Sequence, residues 1–207
     1  MLDRLLTRLF GDGFEKDWWM GIITQAFLLG LLLSVLAFAS AWYLGGQPVE
    51  HEGSVNIKAP PAAIFQQLVD PENRLKWQTE ATSIALKSNG ELQAKSEYRV
   101  KLKNGTSEVA ATDEVMQVVP DEWLSYRTTA PHLGRVTVFK LQKALDPETD
   151  LPIPGVIKLT YRSTEQIVDS SRIWAAFNMP DVKSRVESEL ARIKEQAEAV
   201  AKALPAE

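Results

Sequence analysis

Residues 54–80, SVNIKAPPAAIFQQLVDPENRLKWQTE, contain the most informative pattern for the fold of this chain. The first five residues alternate between polar and apolar side chains, which predicts a strand. Residues 59–61, Ala-Pro-Pro, end that strand, and either Pro60 or Pro61 opens a helix at its first turn. Apolar side chains then recur at helical spacing through residues 62–69, and Asp70 with the proline after it starts a second short helix. The stretch therefore predicts one strand followed by two short helices, the second of which ends at Trp77.

The chain after this stretch contains a series of alternating runs that are typical of an antiparallel sheet. Asn104 and Gly105 form a strong hairpin signal between two of these runs. Residues 146–155 contain three prolines and are predicted to form a loop. The predicted strands are residues 84–87, 97–103, 106–119, 123–129, 135–141 and 156–164.

Residues 180–204 predict a long amphipathic helix, because apolar residues recur at spacings of three and four while Lys, Glu and Arg occupy the opposite face. Strands between two short helices and one long helix indicate an α+β domain, in which an antiparallel sheet wraps around the long helix. The apolar stripe of that helix consists of Val182, Val186, Leu190, Ile193, Ala197, Val200 and Leu204.

The first stretch, together with residues 182–200 (VKSRVESELARIKEQAEAV), resembles the SRPBCC superfamily, which includes START-like, polyketide cyclase/dehydrase-like and birch-pollen-allergen-like proteins. The resemblance covers roughly residues 52–204 and rests on the order of the elements and on Phe65 and Trp77. It implies a helix-grip fold, in which a curved antiparallel sheet closes on the long C-terminal helix around an apolar cavity. It also implies a lipid or another hydrophobic small molecule as the ligand.

The segment from Trp18 to Leu44 has the composition of a single transmembrane helix. No charged residue lies between Asp17 and Glu50, and 27 residues at about 1.5 Å each give roughly 40 Å, which exceeds the ~30 Å of a bilayer core. Aromatic residues stand at both ends, where they are typical of the membrane interface. We therefore expect an N-terminal amphipathic segment (1–17), a transmembrane helix (18–44), a linker (45–51) and an SRPBCC-like soluble domain (52–207).

The basic residues around this helix predict its orientation. Arg4, Arg8 and Lys16 precede it, whereas Lys58 is the only basic residue between it and Arg74. Because positive residues favour the cytoplasmic side, we expect the N-terminus in the cytoplasm and the soluble domain on the outer, periplasmic or extracellular, side.

A cleaved signal peptide is the alternative interpretation of the same segment. Residues 37–39 and 39–41 fit the small-x-small cleavage pattern. The apolar run is longer than the 7–15 residues of a usual signal peptide, which favours an uncleaved anchor. Before it, residues 1–10 predict a short amphipathic helix on the membrane surface, and residues 11–13, Gly-Asp-Gly, are expected to break that helix.

Within the apolar segment, Ala26, Gly30 and Ser34 recur every four residues. Small residues at this spacing let a second transmembrane helix approach closely, so they predict a helix-packing face. The partners expected from the sequence are therefore the membrane, a hydrophobic small molecule or lipid, and other transmembrane helices of a membrane complex.

Several kinds of chemistry find no support in the sequence. The chain has no cysteine, which excludes disulfides and thiolate sites, and its net charge of −4 has no basic block that would favour nucleic acid. His51 and His132 lie far apart, so we predict no metal and no cofactor. No hydrolase, zinc-protease or nucleotide-binding motif occurs, and acidic residues are expected on the surface; Glu114 beside Tyr126 or Tyr161 is the one candidate for a buried polar pair.

Aromatic residues are the candidates for lining the cavity that the resemblance implies, because ligand cavities are mostly apolar. Packing in an ordinary core is the alternative interpretation of each of them. Two of them lie in the apolar stretch IWAAFNM before the long helix, which suits a cavity gate, a membrane contact or a docking surface. The candidates are Trp77, Tyr98, Trp123, Tyr126, Phe139, Tyr161, Trp174 and Phe177.

Three functions follow from these patterns. The favoured one is a membrane-anchored binding module for a lipid or another hydrophobic small molecule. The second is an accessory subunit of a larger membrane complex, which a filled cavity would favour. The third is an enzyme acting on a hydrophobic substrate, which requires a buried polar cluster with displaced pKa values.

Overall fold

The computed structural model describes residues 12–87, 92–168, 171–172 and 181–203. Its helices are α1 (Asp12–Gly45), α2 (Pro61–Val69), α3 (Pro71–Trp77) and α4 (Val182–Ala203). Its strands are β1 (Val49–Ile57), β2 (Ala81–Leu86), β3 (Glu97–Asn104), β4 (Ser107–Val119), β5 (Trp123–Ala130), β6 (Leu133–Leu145) and β7 (Pro152–Ile167). Within these residues, the strands form one antiparallel sheet in the order β1-β7-β6-β5-β4-β3-β2.

The two short helices form where the proline pattern predicts them. Each begins with a proline, whose missing N–H is no loss in the first turn of a helix. Asp70 caps α3, because its Oδ1 accepts a hydrogen bond of 2.9 Å from the N–H of Asn73. Trp77 then ties the two helices together by donating its indole N–H to the carbonyl of Gln67 at 2.8 Å.

The sheet has one end that lies next to α1. β1 begins at Val49, four residues after α1 ends, and Val49 pairs with Glu165 near the end of β7. Gln166 Nε2 donates to the carbonyl oxygen of Gly46 at 3.0 Å, and the guanidinium of Arg172 lies 5.6 Å from the ring centroid of Trp42. We call this end of the sheet the helix-proximal end.

α4 lies against the sheet through the apolar stripe that the sequence predicts. Val186, Leu190 and Ile193 are buried between the helix and the sheet, and the closest approach is at Gly53 of β1. A Cβ atom at Gly53 would lie 2.9 Å from Leu190 Cδ1 and 3.2 Å from Val186 Cγ1. The absence of a side chain at this position therefore sets how closely α4 grips β1.

The structure differs from the sequence-based expectations at several boundaries. α1 begins at Asp12, so two of the three residues expected to break the preceding helix, Asp12 and Gly13, lie in the first turn of α1. β1 begins inside the segment expected to be a linker, and β7 begins at Pro152 inside the expected loop, because pairing with neighbouring strands extends both. Val200 is 42% exposed, so the apolar stripe of α4 is buried only as far as Ala197. Residues 1–10 and Leu204 lie outside the described residues.

Residues Gly21–Gly45 of α1 form an apolar stretch of 25 residues with a mean hydropathy of 2.3, and most of it is exposed, whereas Ala41 near its end is buried. Its length and composition are sufficient to cross a membrane. A helix of this kind near the N-terminus fits either an anchor or a signal sequence.

Candidate functional site

The inward face of the sheet, which α2, α3 and α4 cover, is divided into an apolar half and a polar half. Side chains alternate between the two faces of a strand, so every second residue points inward. On β6, Phe139 and Leu141 are inward and apolar, whereas Arg135 and Thr137 are inward and polar. The polar half lies toward the helix-proximal end. Its other buried members are Asp113, Thr128, Ser163 and Glu165.

Two arginines and two carboxylates form a closed ring of ion pairs in the polar half. Glu80 Oε2 lies 2.6 Å from Arg135 Nη2, and Glu80 Oε1 lies 3.1 Å from Arg185 Nη1. Glu165 completes the ring, because its Oε1 lies 2.5 Å from Arg135 Nε and its Oε2 accepts from Arg185 Nη1 at 3.1 Å. Glu165 Oε1 also accepts a short hydrogen bond from Arg185 Nη2. We call these four residues the ion ring.

The ion ring connects three parts of the domain. Glu80 lies in the turn between α3 and β2, and Arg185 lies in the first turn of α4. Arg135 and Glu165 lie on the adjacent strands β6 and β7. Its members differ in exposure: the side chain of Glu80 is 34% exposed, whereas that of Glu165 is 2% exposed. The ring therefore closes the helix-proximal end of the grip with one member at the surface and three inside.

The charges of the ion ring support one another. Burial by itself raises the pKa of Glu80, but Arg135 and Arg185 outweigh burial and hold that pKa below its ordinary value. Burial likewise lowers the pKa of Arg135, yet Glu80 and Glu165 raise it above its ordinary value. With two guanidiniums and two carboxylates, the ring is formally neutral as a whole.

A second buried ion pair joins α3 to β4. Arg74 Nη2 lies 2.6 Å from Asp113 Oδ2, and both side chains are completely buried. The guanidinium of Arg74 lies 4.6 Å from the ring centroids of both Tyr98 and Tyr126, so two aromatic faces flank its charge. Asp113 also accepts a hydrogen bond of 2.6 Å from the hydroxyl of Thr128, which satisfies its second oxygen.

Glu189 of α4 and Tyr161 of β7 form a third buried polar contact. Tyr161 Oη donates to Glu189 Oε2 at 2.8 Å, and the N–H of Thr79 donates to Glu189 Oε1 at 3.3 Å. Burial raises the pKa of the Glu189 carboxyl above its ordinary value, because the charged form loses its hydration. Burial also raises the pKa of Tyr161, and the neighbouring carboxylate raises it further. The Glu189 carboxyl therefore keeps its proton up to a higher pH than a free carboxyl does.

Four of the predicted cavity residues meet in one packed cluster. The ring centroid of Phe139 lies 4.6 Å from that of Tyr161, 5.7 Å from that of Trp77 and 6.2 Å from that of Tyr126. Trp77 and Phe139 have no surface that a water molecule reaches. In this structure the cluster is therefore part of the core, and its role as a cavity lining stays a prediction.

The remaining predicted residues lie elsewhere. Tyr98 is buried and donates its hydroxyl to the carbonyl of Val69 at 2.8 Å, and burial raises its pKa. Trp123 is half-buried at the start of β5. Glu114 is exposed on the outward face of β4, so the expected buried pair with Tyr126 or Tyr161 is wrong, and Glu189 takes its place. Trp174 and Phe177 lie outside the described residues.

Two open grooves lie away from the aromatic cluster. One, of about 620 Å³, is lined by outward residues of β1, β6 and β7 that include Asn56 and Lys158. The other, of about 590 Å³, lies beside Pro60 and Pro154. Neither groove is lined by a predicted cavity residue.

Metal-ligating groups do not converge in the part of the chain that the structure describes: no three His, Asp or Glu side chains there are placed to hold a metal ion. His51 is half-buried on β1, and His132 lies in the turn between β5 and β6. Ala26, Gly30 and Ser34 are exposed on α1, where the hydroxyl of Ser34 donates to the carbonyl of Gly30 at 2.8 Å.

Solved structures with the same fold have sequences that differ strongly from this one. The Zhui aromatase/cyclase from Streptomyces sp. R1128 matches with a TM-score of 0.57 at 14% identity, over 73% of this chain and 94% of that chain. A START superfamily protein from Mycobacterium smegmatis matches with a TM-score of 0.51 at 13% identity, over 75% and 99%. Ara h 8.0201 matches with a TM-score of 0.53 at 16% identity, over 76% and 100%.

These matches confirm the predicted helix-grip fold, and they confirm the resemblance to START-like and cyclase-like proteins at the level of the fold. No protein-family model matches the chain, and no curated protein matches its sequence.

Reasoning from the sequence missed the buried charges. Acidic residues were expected on the surface, but Asp113, Glu165 and Glu189 are buried, because each has an arginine or tyrosine partner from another element. The alternation along β6 contained a signal for them. Arg135 and Thr137 lie four and two residues before Phe139 and so on the same face of the strand, which means that a sheet that buries Phe139 also buries them.

Proposed function

We propose that this chain is a membrane-anchored binding module whose helix-grip domain holds an amphiphilic lipid, or another hydrophobic small molecule with a polar group, beside the bilayer. In this proposal α1 is the single membrane span, residues 1–17 and 45–51 flank it, and residues 52–207 form the binding domain. The N-terminus lies in the cytoplasm and the domain on the outer side, in accordance with the basic residues before the helix.

The main support for the proposal is that the inward face of the sheet has an apolar half and a polar half. A site for a purely apolar molecule needs only apolar lining, whereas burying charged groups is costly unless a polar partner compensates it. Here an aromatic half around Phe139 adjoins a polar half around the ion ring. An apolar chain with a polar head group has the same two-part character, and it would lie with its head toward the helix-proximal end.

The position of the domain supports the same function. The helix-proximal end is tied to the residue that follows α1 by the hydrogen bond from Gln166 to Gly46. The polar half therefore faces the place where an anchored α1 leaves the bilayer. Tethering keeps the domain at a high effective concentration of membrane lipids, which compensates for modest intrinsic affinity.

Photo-crosslinking tests the proposal. Full-length protein is labelled in its own membranes with a photoactivatable fatty acid, and the modified residues are assigned by mass spectrometry. We expect label on inward residues of the sheet such as Phe139, as well as on α1, and none on outward Lys140, which serves as the internal control. Label confined to α1 would contradict the binding function.

An accessory subunit of a membrane complex is the second candidate, and the packed aromatic cluster favours it, because a filled interior leaves the surface as the functional part. The candidate helix-packing face of α1 allows a direct test. Gly30→Leu fills this face, whereas Gly21→Leu adds the same bulk nine residues away, about half a turn around the helix. Both glycines have open space beside them. The accessory role predicts that only Gly30→Leu loses co-purifying membrane proteins.

A further inference from the structure

The exposed member of the ion ring differs from the other three in a way that suggests a ligand. Glu80 lies in a turn and is about one-third exposed, whereas the guanidiniums of Arg135 and Arg185 are buried. The two carboxylate oxygens of Glu80 contact different arginines, at 2.6 Å and 3.1 Å. Glu80 thus occupies a position between two buried cations, and the chain can vacate that position by moving a surface side chain.

We propose that the ion ring is the recognition site for an anionic head group, a phosphate or carboxylate, which takes the place of the Glu80 carboxylate between Arg135 and Arg185. The inference rests on the proposed function and names the class of amphiphile that the domain holds. Guanidinium groups present several N–H donors in a fixed plane, a geometry that matches the oxygens of phosphates and carboxylates.

The charges of the ring favour this exchange. Two guanidiniums and two carboxylates cancel, so displacing Glu80 leaves one positive charge beside Glu165. A monoanionic head group restores neutrality, whereas a neutral head group leaves a buried charge uncompensated. The formal charge of the whole chain is −4, which opposes unspecific attraction of anions. A preference for anionic ligands must therefore come from a local site such as this one.

Donors without partners lie in and beside the ring. Arg185 Nε and the hydroxyl of Thr137 are buried and have no hydrogen-bond partner. Thr137 is two residues from Arg135 on the inward face of β6, and it pairs across the sheet with Ser163, whose Oγ accepts from Arg185 Nη2 at 3.3 Å. Buried donors without partners cost free energy, so a ligand with several acceptor oxygens would gain by satisfying them.

The other buried ion pair also has donors without partners, Arg74 Nε and Nη1, but it has no member at the surface. Arg74 and Asp113 are both completely buried, and Asp113 is held by Thr128 as well as by the arginine. No member of that pair lies at the surface, so an incoming anion has no exposed side chain to displace. The ion ring, in contrast, combines buried guanidiniums with a carboxylate at the surface, in the half of the interior where an amphiphile leaving the membrane would arrive.

The test compares lipids that share their acyl chains and differ only in the head group. Full-length protein in a non-ionic detergent is titrated with phosphatidic acid, phosphatidylcholine or diacylglycerol, and the bound fraction is read by native mass spectrometry. We expect phosphatidic acid to bind about tenfold more tightly than diacylglycerol, in keeping with charge-assisted hydrogen bonds. Equal binding of the three lipids would overturn the head-group inference and leave the binding module standing; no binding of any would overturn both.

Variants test whether the ion ring is the source of the preference for phosphatidic acid. Glu80→Gln removes the competing charge and is expected to strengthen phosphatidic acid binding several-fold, whereas Arg185→Gln is expected to abolish the preference. Glu52→Gln is the matched control, because Glu52 makes an exposed ion pair with Arg162 and its change alters the net charge equally. Tryptophan fluorescence verifies that each variant is folded. An unchanged preference in Glu80→Gln would overturn the inference.

Inorganic phosphate distinguishes a lipid head group from a free anion. We expect it not to displace phosphatidic acid at equal concentration, because it lacks the apolar chain. Displacement by free phosphate would support recognition of the anion by the ring and overturn the amphiphile as its source.

Discussion

At the scale of single residues, the domain depends on charges that are buried and paired. Arg74 and Asp113 illustrate the effect of burial, because Lys87 and Glu97 form an ion pair of the same 2.6 Å length on the surface. Solvent screens the surface pair, and such pairs contribute little to stability. A buried pair, in contrast, becomes strongly destabilising when one partner is removed, because the other charge stays buried without compensation.

Asp113→Asn is therefore expected to lower the free energy of unfolding by about 3–5 kcal/mol. Glu97→Gln, its surface control, should cost less than about 1 kcal/mol. The double variant Arg74→Met/Asp113→Asn should lose less than Asp113→Asn alone, since it removes both charges. Urea unfolding followed by tryptophan fluorescence measures all of these values, and equal losses in Asp113→Asn and Glu97→Gln would contradict the account.

Glu189 predicts a specific dependence of stability on pH. Burial raises its pKa in the folded protein above the ordinary value of 4.5, so Glu189 keeps its proton up to a higher pH in the folded state than in the unfolded state. The stabilisation by the neutral carboxyl is fully present below pH 4.5 and is lost as the pH rises through the raised pKa. Glu80 behaves in the opposite way, because its pKa in the folded protein is lowered. The stability that the charged Glu80 contributes is present above its ordinary pKa and is lost as the pH falls through the lowered pKa.

Glu189→Gln keeps a neutral side chain at every pH, and we expect its melting temperature to fall less than that of the unmodified protein between pH 5 and 8. Glu187→Gln is the control, because Glu187 is exposed on the same helix and carries the same charge. Identical pH profiles for Glu189→Gln and Glu187→Gln would show that the buried carboxyl does not titrate as described.

At the scale of elements, the grip depends on how closely α4 approaches β1. Gly53→Ala places a methyl group 2.9 Å from the side chain of Leu190, and we expect overpacking to lower the free energy of unfolding by about 1–3 kcal/mol. Gly134→Ala is the matched change in another strand, where the nearest atom is 3.9 Å away, so its stability should stay equal or rise slightly. Thermal unfolding of the two variants checks the difference, and equal stability would place the closest contact elsewhere.

The elements themselves could be predicted from the sequence to a large extent. Proline positions and apolar spacing located α2, α3 and α4, and alternation located most strands within a few residues. The extension of β1 could not be foreseen, because it comes from pairing with β7 about a hundred residues away in the sequence. The extension of β7 to Pro152 comes instead from pairing with Leu145 of the neighbouring strand β6. The ion ring was missed for a related reason: its members lie on different elements, and only the closed sheet brings them together.

At the scale of the whole molecule, the two ends of the domain differ in the polarity of their interior. Its interior changes from apolar to polar toward the end where α1 joins the sheet, so the most polar part of the interior lies nearest the apolar helix. An isolated structural domain gains nothing from this order, because buried charges are more costly than apolar packing of the same volume. The order is useful when the polar part receives a head group delivered from a membrane, as in the proposed function.

Native mass spectrometry of the full-length protein, extracted gently from its own membranes, distinguishes a lipid-binding module from a structural subunit. For a binding module we expect a protomer that carries one lipid-sized additional mass, retained under conditions that strip loosely bound lipids from α1. Co-extraction in a fixed ratio with other membrane proteins, and no small-molecule adduct, would contradict the binding module and support a structural subunit instead.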